Sequence, residues 1–254
     1  MILMRILPAV LKELSKHVPT VLFQTVEWSE LASELPKITR RMIQKEGFQK
    51  LFDRQTQLLA PYNIMLTNST HPDSVTKLSK EDGHKILTLF FVQLFSPHGL
   101  FLDLRSFHFS SSNGLLEWHP SGFWNRFDEA FRLGLLEVYE GFYLNKEDLY
   151  FNGLEKIGLL KSDWPLKDKE TLAALFRVQF GNNDMTFDLE QFKDSIIKMS
   201  DFMLMKKVKI SKDFLYLGIY LVTLYSSLEE TCECYSVKTT YLNVKNKFSE
   251  EEHH

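Results

Sequence analysis

Residues 79–99 read SKEDGHKILTLFFVQLFSPHG, and this stretch decides the fold. Ser79, followed three residues later by Asp82, has the form of a helix start, with Glu81 and Asp82 placed to favour the positive end of the helix dipole. Beyond it, Ile86, Leu87, Leu89, Phe90, Phe91, Val92, Leu94 and Phe95 leave almost no wet face. A helix that is apolar all round must be packed all round, so the pattern predicts a central helix over 82–95. Ser96-Pro97-His98-Gly99 ends it.

Downstream come two short β-capable pieces, 100–104 and 115–118, with the turn-forming run Ser110-Ser111-Ser112-Asn113-Gly114 just before the second. That predicts one small β-hairpin near 100–118. From Phe123 onward the spacing is helical over 123–143, 146–157, 168–180, 187–206 and 212–232. Asn145, Asp168, Asp188 and Ser211 stand at the starts and Gly158 and Gly181 at the ends. Upstream, Leu3, Ile6, Leu7, Val10, Leu11 and Leu14 predict an amphipathic helix in 1–18, closed by Pro19. Ser29 caps a turn through Leu35, Pro36 opens a helix over 38–43, and Phe48 to Leu59 forms another, ending at Pro61. Residues 62–67 are β-capable, and 68–74 is a polar loop.

The expected fold is therefore mainly α, a single helical domain over 1–248. Residues 1–61 are its N-terminal helices and 62–235 its core, while 249–254 reads as a tail or a purification-tag remnant. Composition agrees. Of 254 residues, 44% are apolar and 25% charged, which excludes disordered, collagen-like and rod-like chains. The 21 Phe against 11 Gly favour large apolar helices over a turn-rich sandwich. With 30 basic and 33 acidic residues, no field is available to hold a phosphate backbone, so nucleic acid is not an expected partner. Cys232 and Cys234 cannot build a disulfide framework and lack the second pair that a zinc site needs. No apolar run reaches the roughly 20 residues of a membrane span. A cytoplasmic protein is expected, and peripheral association with a membrane is compatible with it.

The chain has no G-x-S-x-G elbow, phosphate-binding G-x-x-x-x-G-K-[ST] loop, G-x-G-x-x-G fingerprint or H-E-x-x-H pair. One cluster stands out. GLFLDLRSFHFSSSNGLLEWHPSG, residues 99–122, places Asp103, His108 and Glu117 on a short β-rich insert directly after the apolar helix. Carboxylates on such an insert are what phosphoryl-transfer sites use to hold Mg²⁺. The plainer reading is a hairpin with ordinary polar side chains.

At this cluster the chain resembles the C-terminal lobe of the UbiB/AarF family of atypical kinase-like proteins. Gln93-Leu94-Phe95 and Gly99-Leu100-Phe101 are similar to the family's helix end before its catalytic loop. Asn113-Gly114-Leu115-Leu116-Glu117-Trp118-His119 falls where the family carries its metal-binding D-F-G, and 208–230 is similar to its closing helix. The resemblance spans about 60–235 and rests on apolar pattern. It implies a kinase-like helical lobe in which Asp103 fills the catalytic aspartate position, His108 that of the second metal-binding asparagine, and Glu117 that of the D-F-G aspartate. It also shows what is missing. The chain has no glycine-rich loop, no strand lysine paired with a helix glutamate and no K-x-G-Q motif, and 1–61 is too helical to clamp a nucleotide.

The leading expectation is thus a non-catalytic, pseudokinase-like binding or scaffolding protein without a catalytic residue or a required cofactor. Its partner would be a protein or a hydrophobic, lipid-linked ligand, since the family resembled is tied to isoprenoid-quinone metabolism. The alternatives are an enzyme or ATPase retaining weak Mg²⁺-ATP binding through Asp103, His108 and Glu117, and an unrelated helical protein.

Overall fold

The computed structural model describes residues 19–27, 29, 33, 36, 45–68, 77–178, 180 and 184–251. The helices expected at 1–18 and 38–43, most of the 29–35 turn and of the 68–74 loop, the Gly181 stop and the terminal histidines lie outside these residues. The fold is mainly α. Its described residues group into two compact units. One is drawn from Met1–Arg40, Phe127–Phe180 and Glu190–Val222; the other is drawn from Arg41–Arg126, Gly181–Leu189 and Thr223–His254. Each unit is woven from three separate segments, so no single cut in the chain would release either one.

The unit that holds the candidate cluster contains α1 (Lys45–Leu59), β1 (Ile64–Leu66), α2 (Lys80–Phe95), β2 (Leu100–Phe101), β3 (Phe109–Ser112), β4 (Leu115–Trp118) and β5 (Trp124–Asn125). Helix α2 is its core, as its sequence predicts. Ile86, Leu87, Leu89, Phe90, Phe91, Val92 and Leu94 are all buried. Its start is a full capping box, Asp82 N–H donating to Ser79 Oγ at 3.2 Å and Ser79 N–H to Asp82 Oδ2 at 2.9 Å. The first turn also clamps the hairpin. Ser111 Oγ donates to Asp82 Oδ1 at 2.7 Å, and Lys85 Nζ donates to the Gly114 carbonyl at 2.7 Å.

The hairpin is present, but its arms differ from those the sequence suggests. Phe109–Ser112 pairs with Leu115–Trp118, joined by Asn113 and Gly114, both at positive φ (50° and 76°). The serines read as a turn are in fact the first arm, and Asn-Gly alone supplies the two left-handed residues that a tight hairpin turn requires. Leu100–Phe101 pairs instead with Trp124–Asn125, while β1 adds to β4 in parallel. The strand at 124–125 also delays the next helix, expected from 123, to residue 129.

The other unit contains α3 (Glu129–Tyr143), α4 (Glu147–Lys156), α5 (Leu166–Arg177) and α6 (Leu189–Met205). Helix α7 (Lys212–Glu229) gives this unit its residues through Val222. Helices α3 and α4 approach so closely that a Cβ on Gly141 would lie 2.4 Å from Tyr150 N, and one on Gly153 2.6 Å from Gly134 O. Asp168, expected to start a helix, instead sits within α5 and pairs with Lys206 at 2.6 Å; Pro165 occupies the cap. Asn145 likewise stands one residue before the cap, Lys146, with φ 54°.

The chain closes with β6 (Met185–Thr186), antiparallel to β7 (Cys234–Tyr235), and α8 (Val237–Glu251), all in the unit of α2. Helix α8 has no counterpart in the sequence reading, which stops its helices at 232 and begins the tail at 249. It seats Tyr241 against Phe91 and Phe95, and Phe248 against Phe95, at ring separations of 5.5, 5.7 and 5.4 Å. Cys232 and Cys234 are free, exposed thiols. No helix among the described residues is long and apolar enough to cross a membrane.

Candidate functional site

Asp103 lies in an extended segment that makes no long ladder, so its backbone polar groups are satisfied by side chains. The Gln93 carboxamide oxygen accepts from Phe101 N–H at 2.7 Å. Gln55 Nε2 donates to Gly99 O at 2.9 Å, and Thr223 Oγ1 to Leu102 O at 3.0 Å. Ser227 Oγ donates to Leu104 O. Thr223 and Ser227 stand one turn apart on α7, on the side facing this segment. A buried backbone left unpaired would be costly, which accounts for four fully buried polar side chains in an otherwise apolar core.

This frame pins Asp103 at 1% exposure. Arg105 grips both of its oxygens, Nε to Oδ1 at 2.8 Å and Nη2 to Oδ2 at 2.6 Å, and its backbone N–H reaches Oδ1 at 3.3 Å. His108 Nε2 lies 3.0 Å from Oδ2. Burial pushes the carboxyl upward, but Arg105 and His108 overrule it and hold Asp103 well below the ordinary carboxylate range. The guanidinium is itself backed by the Phe107 ring, 4.6 Å from its centroid.

Two of the three sequence candidates are therefore neighbours, and the third is not part of their cluster. Glu117 lies on β4, where Leu116 and Trp118 are buried and Glu117 alternates to the opposite face. There it accepts from Ser110 Oγ at 3.2 Å, directly across the ladder. His119 follows on the backbone, its N–H donating to His108 O at 2.9 Å and its ring 2.7 Å from Thr67 Oγ1. Among the described residues, no three His, Cys, Asp or Glu side chains are grouped to hold a metal ion.

The residue that governs Asp103 is Arg105, which is not among the sequence candidates. Arg105 is visible as D-x-R in the sequence, a spacing at which a guanidinium can fold back onto a carboxylate.

The same unit holds a cavity of about 570 Å³ between α2 and α8. His84 and Thr88 line it from α2, Asn243, Asn246 and Lys247 from α8, and Tyr62 from the turn after α1. Lys247 Nζ rests over the Tyr62 ring at 4.2 Å, and the His84 ring meets Tyr235 edge-on at 5.0 Å. Sequence reasoning missed this site because half of it stands on the unforeseen α8. No protein-family model matches the chain, and no curated protein matches it.

Proposed function

We propose that the chain is a non-catalytic binding protein, pseudokinase-like in the sense that the acid in the catalytic position serves the fold. The observation that carries this is the occupancy of Asp103. A carboxylate offers about four lone-pair sites, and here Arg105 Nε, Arg105 N–H, Arg105 Nη2 and His108 Nε2 stand against them. To ligate Mg²⁺ or take a proton from a hydroxyl, Asp103 would have to give up a buried ion pair. Glu117 cannot make up the loss from the opposite face of its strand. Phosphoryl transfer depends almost wholly on positioned charge, and this arrangement spends its charge internally.

The resemblance to the UbiB/AarF lobe supports the reading only in naming the position that Asp103 fills. A role beside lipid or quinone metabolism, with a protein or lipid-linked partner, rests on that resemblance alone. The test is Mg²⁺-ATP turnover by the purified chain, with Asp103→Ala and Glu117→Ala alongside. The expected result is no turnover. Turnover that vanishes in both variants would overturn the proposal.

A further inference from the structure

The cavity between α2 and α8 has a chemical character of its own. The half-buried His84 imidazole and the exposed Asn243 and Asn246 carboxamides make no hydrogen bond to another described residue, although all three line one cavity. Each can donate and accept at once: a carboxamide by its NH₂ and its oxygen, a neutral imidazole by its two nitrogens. Burial, and then the nearby Lys80 charge, lower the His84 pKa and so favour that neutral form.

The formal charges at the rim oppose each other. Lys247 and Glu250 lie three residues apart on α8, and both line the cavity. An inorganic anion is poorly served here, because it needs several donors and would meet carboxamide oxygens as well. A purely apolar ligand is no better, since it would strip water from His84, Asn243 and Asn246 and return no hydrogen bond. What matches side chains that pair a donor with an acceptor is a ligand that does the same. The volume, about 570 Å³, lies in the range of small-molecule sites.

We propose that this cavity binds an uncharged ligand presenting an amide edge, a donor and an acceptor side by side in one plane, as in a peptide bond or a pyrimidine base. The assignment rests on the reading of the chain as a binding protein, but it is tested without reference to ATP. Failure of that reading would appear as turnover, and failure of this assignment as absent or wrong binding.

The experiment is a titration of the full chain followed by ¹H–¹⁵N chemical shifts. It uses three probes separately: uridine, an N-acetylated dialanine N-methylamide, and inorganic phosphate. The expected result is saturable movement of α2 and α8 signals with uridine or with the blocked peptide, and none with phosphate; the responding probe identifies the source of the amide edge. Asn243→Asp replaces a donor by an acceptor of the same shape at an exposed position. It should weaken that binding at least about tenfold while the melting temperature stays as in the parent. His84→Phe should weaken it too. Binding of phosphate at these signals, no response to either uncharged probe, or undiminished binding by Asn243→Asp would each overturn the assignment.

Discussion

Arg105 folds back across a single intervening residue to close both oxygens of Asp103, at 2.8 and 2.6 Å, in a segment where the acid is 1% exposed. Two consequences follow from burial. The pair is screened by protein and hardly by salt, and each partner helps keep the other charged where little water reaches. A lone carboxylate at this position would be a candidate for chemistry. With Arg105 over it, the same carboxylate is paired within its own segment and with His108, while Gln93 of α2 and Thr223 and Ser227 of α7 hold the backbone around it.

The acid limb of stability should report this directly. A carboxyl whose folded pKa is depressed adds stability that is complete above its unfolded value, near 4, and is lost as pH falls toward the folded one. Asp103 is depressed in this sense. Melting temperatures of the parent should therefore fall steeply from about pH 4 downward, and the fall should be shallower in Asp103→Asn, which has no carboxyl to protonate. Parallel curves for the two proteins would remove Asp103 from the account.

Replacing Phe90 by Ala should cost about 3–5 kcal/mol by urea denaturation. Phe90 is 1% exposed and meets the Phe91 ring edge-on at 5.1 Å, so little can move in to fill the space. An unchanged urea midpoint would count against α2 as the centre of its unit.

Two glycines should respond to alanine for different reasons. At Gly141 the new Cβ would meet the Tyr150 backbone 2.4 Å away, so α3 and α4 must separate, and a loss of about 1–3 kcal/mol or more is expected. At Gly114 nothing lies within 4 Å, and only the left-handed backbone at φ 76° is penalised, by about 1 kcal/mol. Equal losses, or a larger loss at Gly114, would contradict the close helix packing.

The parts of this fold that were legible are those in which one residue's character settles its place. Helix α2 is apolar on every side and can only be interior, and Ser79 with Asp82 marks where it begins. Other features depend on partners distant in the chain. Ser110, Ser111 and Ser112 look like a turn until β4 pairs with them, and Leu100–Phe101 finds its strand partner beyond the hairpin. Helix α8 was obscured by polar runs, Lys238-Thr239-Thr240 and Asn243 with Lys245-Asn246-Lys247, between the apolar positions Val237, Tyr241, Val244 and Phe248. Asp103 is conspicuous in the sequence as a carboxylate within an apolar run. Its occupation by Arg105 is a matter of side-chain direction, which spacing alone does not fix.

A double-mutant cycle on Asp103 and Arg105, read by urea denaturation, tests the central claim most directly. Arg105→Leu alone leaves the buried carboxylate with His108 but without its guanidinium, and should cost about 3–5 kcal/mol. Adding Asp103→Asn removes the stranded charge, so the double variant should be more stable than additivity predicts, with a coupling of about 2–3 kcal/mol. If the two losses simply add, Asp103 and Arg105 do not act as a pair; if Asp103→Asn leaves stability untouched while abolishing a measurable ATP turnover, Asp103 belongs to an active site and not to the fold.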